Sequence, residues 1–135
     1  MKSTRLSIIL LVAMLAAPAV MLYGQTHSMT ITVPFKFTVT DTPMPAGEYF
    51  IKGVYQDAVA IQHSKGEAGV ILMTQRSARR LGNGGKLTFH QYGGLYFLAE
   101  VQLPGAACVQ TFATGKEEIE VAKLRNRQPD LEVGR

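Results

Sequence analysis

The 135-residue chain has no tryptophan and a single cysteine, Cys108. One cysteine excludes an internal disulfide and any Cys-x-x-Cys metal or redox site. The missing tryptophan weakens the case for a carbohydrate-stacking platform. The three histidines, His27, His63 and His90, are scattered, and neither His-x-His nor His-Glu-x-x-His spacing occurs, so no metal site is expected. Gly-x-Ser-x-Gly is absent, which removes the commonest local signature of a serine nucleophile. Gly82-Asn-Gly-Gly-Lys86 superficially resembles a phosphate loop. Position 80 is arginine where the loop needs glycine, however, and Leu87 stands where a hydroxyl would hold magnesium. No cofactor is expected, and no enzymatic constellation is evident.

What is present begins with an address. Lys2 and Arg5 precede an apolar run from Leu6 to Ala16, followed by small residues around Pro18. Basic residues stay on the cytoplasmic side while the apolar run inserts and small residues admit the peptidase, so residues 1–24 read as a secretory signal peptide. Cleavage after Ala19 satisfies the small-x-small rule, and cleavage after Gly24 leaves a polar Gln25 start. An uncleaved anchor is the alternative, against which Pro18 and its small neighbours argue. The mature protein is expected to be exported, periplasmic or extracellular, meeting a membrane only through the leader before its removal. Cys108 is too far from either cut to be lipidated.

The formal charge of +4 includes Lys2 and Arg5; without them 12 basic face 10 acidic residues, too even a balance to imply nucleic acid. About 110 residues suffice for one domain that needs no disulfide. Cys108, flanked by Ala106, Ala107 and Val109, is expected to be a buried small hydrophobe or else the link in a disulfide dimer.

From Met29 to Val39 apolar residues fall at every second position, the pattern of a long strand with one buried face. Pro34 has no donor N–H and is expected at an edge or bulge, where it can divide the strand in two. Asp41–Gly47 reads as a turn. Strands follow at Glu48–Tyr55, Ala58–His63 and Ala68–Thr74, with gaps too short for crossover helices, so an antiparallel meander is the simplest connection. Gln75–Gly85 reads as a loop. Lys86–Tyr92 and Leu95–Val101 flank Gly93-Gly94, the dipeptide that suits a two-residue hairpin. Ala107–Ala113 is a further strand, and Glu117–Arg127 a short helix with Ile119, Val121, Ala122 and Leu124 as a rough apolar stripe. The expectation is all-β: an antiparallel sandwich or partly open barrel of seven to eight short strands with a short C-terminal helix. Residues 25–127 form the single domain, and 128–135 a loose tail.

Candidate binding residues are Arg76, Arg79 and Arg80, whose guanidinium forks suit phosphate or carboxylate, and the aromatics Tyr92 and Tyr96. The bland alternatives are a solvated basic loop and core aromatics. His90 should share a hairpin face with Thr88 and Tyr92. It would carry an enzymatic reading only if it and Tyr92 met a carboxylate such as Glu100 in one cleft. Glu117, Glu118 and Glu120 crowd a helix start, where negative charge complements the dipole.

Three strings, Val33-Pro-Phe-Lys-Phe-Thr-Val39, Pro45-Ala-Gly-Glu-Tyr49 and Lys86-Leu-Thr-Phe-His-Gln-Tyr-Gly-Gly-Leu-Tyr-Phe-Leu-Ala-Glu-Val101, together give a chain that resembles a group of small uncharacterised secreted β proteins of soil acidobacteria. The likeness spans nearly the whole mature chain, departing at Gln102, where the group commonly has tryptophan. It implies an exported β domain and supplies no activity, cofactor or site residue. The functional expectation is a non-enzymatic binding or interaction module of the cell envelope, whose partner is an envelope component or a small ligand held in an aromatic-lined cavity.

Overall fold

The computed structural model describes residues 27–66, 68–78, 82 and 84–134; the leader, Arg79 and Arg80 lie outside the described residues. The Met29–Val39 alternation is continuous, with Met29, Ile31, Val33, Phe37 and Val39 all buried. Pro34 divides it into β1 (Ser28–Val33) and β2 (Phe37–Val39) without changing the phase. The two pieces serve different parts of the sheet. β1 pairs with β4 (Gly47–Tyr55), whereas β2 pairs with β3 (Thr42–Met44) and, in parallel, through Thr38 with Phe97 of β8 (Leu95–Gln102).

β4 continues antiparallel to β5 (Ala58–His63), and β5 to the first part of β6 (Gly69–Ser77). β6 then changes neighbour. Gly69–Met73 pair with β5, and Thr74–Ser77 pair with β9 (Val109–Phe112), which in turn meets β8 at Glu100 and Val101. The other edge of β8 carries β7 (Lys86–Tyr92), and β7 carries β10 (Gln128–Gly134). The result is a mixed, unclosed sheet bent over one core, with a single described helix, α1 (Lys116–Leu124).

The β7–β8 hairpin turns at Gly93 and Gly94, with φ of 55° and 86°, as that dipeptide predicts. Its register contains one irregularity: Thr88 faces Glu100 but Phe89 faces Leu98, so Ala99 is an extra residue on β8. The bulge reverses the alternation of β8 and places both Val101 and Leu98 on the core face opposite Leu87 and Phe89.

Several details differ from the sequence expectation. The connectivity is not a simple meander, since β6 lies beside β9 and the β2–β8 pairing is parallel. Residues 41–47 contain β3, because Val39 and Thr42 pair across a two-residue turn. β6 runs on to Ser77, held by β9. Gln128–Gly134 is a strand rather than a loose tail: Leu131 and Val133 pack against the core, and Lys86 Nζ lies 3.0 Å from Glu132 Oε1. Its alternation of Leu131 and Val133 with charged residues is a period-two signal too short to stand out.

Phe37 is 4% exposed and Lys36 is exposed. Phe37→Asp therefore buries an unpaired charge and should abolish cooperative urea unfolding, whereas Lys36→Glu should shift stability by less than about 0.5 kcal/mol. Equal effects would contradict the inward stripe.

Candidate functional site

Two arrangements gather polar and aromatic groups near α1. The first is a cleft of about 410 Å³ between the β2–β3 hairpin, the start of β8 and the first turn of α1. Phe37, Met44 and Phe97 supply buried apolar surface, Leu95 and Tyr96 stand more open, and Pro43 and Pro45 contribute rigid walls. Among the described residues, Lys36 and Glu117 are the only charged ones lining it. Tyr96 is held by stacking on Phe35, with ring centroids 4.1 Å apart and planes inclined by 24°. An offset pair of this kind fixes the phenol ring without enclosing it.

The hairpin wall is anchored at a strained turn. Thr40 and Asp41 occupy the two central positions with φ of 45° and 33°, a geometry that normally selects asparagine and glycine. Tertiary bonds offset the strain. Thr40 Oγ1 donates to the Ala113 carbonyl at 2.9 Å, and Asp41 Oδ1 accepts the Glu117 N–H at 3.1 Å. Asp41 thus caps α1 from another element, where the local cap, Gly115, has no side chain to do so. A Cβ at Gly115 would lie 2.7 Å from Asp41 Oδ1 and 2.8 Å from its backbone nitrogen, so glycine is what permits the approach. The clamp fixes the Glu117 end of the cleft.

The second arrangement lies beneath α1. His90 and Tyr92 share the outer face of β7, as their spacing predicts, and Glu118 comes down onto them. His90 Nδ1 is 2.6 Å from Glu118 Oε1, and the Tyr92 hydroxyl donates to the same oxygen at 3.2 Å. Glu118 is 6% exposed, while Ile119 and Leu124 are 46% and 84% exposed. The helix therefore docks through a carboxylate, and the apolar stripe expected to bury it faces outward. Arg125 completes the attachment by donating to the Gly93 carbonyl at 3.0 Å. The carboxylate that meets His90 and Tyr92 is thus Glu118 rather than Glu100. His90, Tyr92 and Glu118 line none of the four clefts described on this surface. Geometrically the cluster is a latch for the helix.

The remaining candidates disperse. Arg76 is half exposed, 3.5 Å from Asp57, and lines a second cleft of about 400 Å³ with His27 and Cys108. Cys108 is only partly buried there. His63 is buried against the Tyr49 ring, and its Nδ1 accepts the Lys65 N–H at 3.2 Å. Of Arg76, Tyr92 and Tyr96, only Tyr96 lines the apolar cleft. Phe37, Met44 and Glu117 escaped the sequence reading because the first looked like core, the second like turn and the third like helix-dipole charge. No group of three or more potential ligands is gathered to hold a metal among the described residues. No described helix is long and apolar enough to cross a membrane. Comparison with known proteins finds no matching family model, curated protein or solved structure.

Burial, and then the neighbouring Glu118 carboxylate, push the Tyr92 phenol above the ordinary tyrosine value of about 10. The neutral phenol is favoured in the folded state, so its contribution is complete below about pH 10 and is lost as pH rises through the folded value. The stability of the wild type should fall more steeply than that of Tyr92→Phe as pH rises above about 10 in urea titrations. Parallel slopes would contradict the placement of this hydroxyl.

Proposed function

We propose that the chain is an exported module of the cell envelope, periplasmic or extracellular, that binds a small ligand and catalyses no reaction. The observation that carries this reading is the cleft bounded by Phe37, Met44, Leu95, Tyr96 and Phe97, with Lys36 and Glu117 as its charged groups. Its volume falls in the range of small-molecule sites, and its composition, mostly apolar with a few polar groups, is what such sites use. The ligand class that matches is a small amphipathic molecule, with an apolar or aromatic body for the floor and a carboxylate or zwitterionic end for Lys36 and Glu117. Preorganisation supports binding at this place: the hairpin wall is clamped at Thr40 and Asp41, and Tyr96 is stacked on Phe35. The basic head and apolar run of residues 1–24 support export. Binding is favoured over acid–base chemistry because the His90–Glu118 pair is occupied in holding α1.

The test is a titration with 4-phenylbutyrate, an aromatic ring on an apolar chain ending in a carboxylate, followed by amide chemical shifts. Saturable shifts centred on Lys36, Leu95 and Tyr96 are expected. Lys36→Glu should weaken binding roughly tenfold through loss of a charge-assisted contact. Absence of saturation, or shifts centred elsewhere, would contradict the site.

A further inference from the structure

The half of the sheet away from the cleft contains an open strand edge with a specific shape. Over Gly69–Met73, β6 pairs with β5 on one side, and no described strand occupies the other. Two bonds just beyond this segment fix which backbone groups point where. The Thr74 N–H donates to the Asp57 carbonyl and the Ala68 carbonyl accepts the His63 N–H, at 2.8 Å each, so the even-numbered residues turn their groups toward β5. Gly69, Ile71 and Met73 therefore turn theirs to the open edge. An edge bearing evenly spaced N–H and C=O groups is matched by another extended strand. The usual protections are missing, since Gly69-Val-Ile-Leu-Met73 has no charge and no proline.

Side chains single out which strand. Val70 and Leu72 pack toward the core, whereas Ile71 and Met73 project outward, 67% and 73% exposed. Gly69 lies on the same outward face, and a depression of about 430 Å³ beside it is lined by Lys52, Ala60, Gln62 and Ile71 among others. If β6 meets β6 of a second copy in antiparallel fashion about Ile71, each Met73 falls opposite the other copy's Gly69. The exposed knob then sits over the depression that the glycine leaves, and the three facing pairs each exchange both backbone bonds.

We infer that the open edge of β6 pairs with the same edge of a second copy, forming a two-fold dimer with Met73 seated over Gly69. Only five residues from each copy pair, so association is weak and concentration-dependent. Gly69 is the telling position for a test. A Cβ there would meet only Gln62 Cγ and the Ile61 carbonyl, both at 3.8 Å, so a side chain fits the monomer while filling the depression.

Sedimentation velocity over a concentration series, with reductant present, reads the association directly. The wild type should pass from the monomer toward twice its mass. Gly69→Val and Ile71→Lys should remain monomeric while keeping the wild-type circular dichroism and melting temperature, and Thr30→Lys, on β1, whose outer edge no described strand pairs, should dimerise normally. A wild type that stays monomeric at every concentration would overturn the proposal, whether or not a foreign strand fits the edge. So would a dimer that survives both β6 variants. A dimer seen only without reductant would also overturn it, assigning association to Cys108.

Discussion

The structure depends on one apolar stripe that keeps its phase across two strands. Met29, Ile31 and Val33 bury their side chains from β1, and Phe37 and Val39 continue inward from β2 after the break at Pro34. Because the phase is kept, one stretch of chain contributes to the core from the β4 side and then from the β8 side. β6 makes a second tie, leaving β5 after Met73 and joining β9 at Thr74. These two crossings allow an unclosed sheet to enclose a core containing Tyr49 and Ile51 from one half and Phe89 and Val101 from the other. A polar residue on the stripe would face the two halves at once, which is why burial there matters more than on a peripheral strand.

Around that core the local devices act together. The Ala99 bulge keeps Leu98 and Val101 on the core face opposite Leu87 and Phe89, while the regular alternation of β7 presents His90 and Tyr92 to α1 from its other face. Glu118 draws the helix onto that face, while Asp41 holds its first turn from the β2–β3 hairpin. The latch and the clamp grip the same helix on two sides. Between clamp and hairpin lies the apolar cleft, whose shape is thus set by backbone geometry at Thr40 and Asp41 as much as by its lining side chains. Strain concentrated beside a cleft is a common feature of sites where geometry must be held.

Much of the sheet was legible because its signals are local. Period-two alternation located the strands from Met29 onward, and Gly93-Gly94 located the hairpin turn. The site was less legible because its determinants are tertiary. Nothing near Thr40-Asp41 in sequence announces a helix cap whose acceptor lies more than seventy residues from its donor. The apolar stripe of α1 misled, since Glu118 gains two bonds to β7 that no helical periodicity can reveal. β10 escaped notice because two apolar residues among charged ones become a strand only when β7 offers an edge.

If the cleft beside Tyr96 holds a small ligand in the protein's own compartment, that ligand should travel with the protein when it is isolated gently. Native mass spectrometry of the protein isolated from the envelope of the cell that makes it tests this most directly. A ligand-loaded cleft should show a non-covalent mass added to the polypeptide that disappears on denaturation and belongs to an amphipathic molecule. A bare polypeptide in every charge state would contradict it.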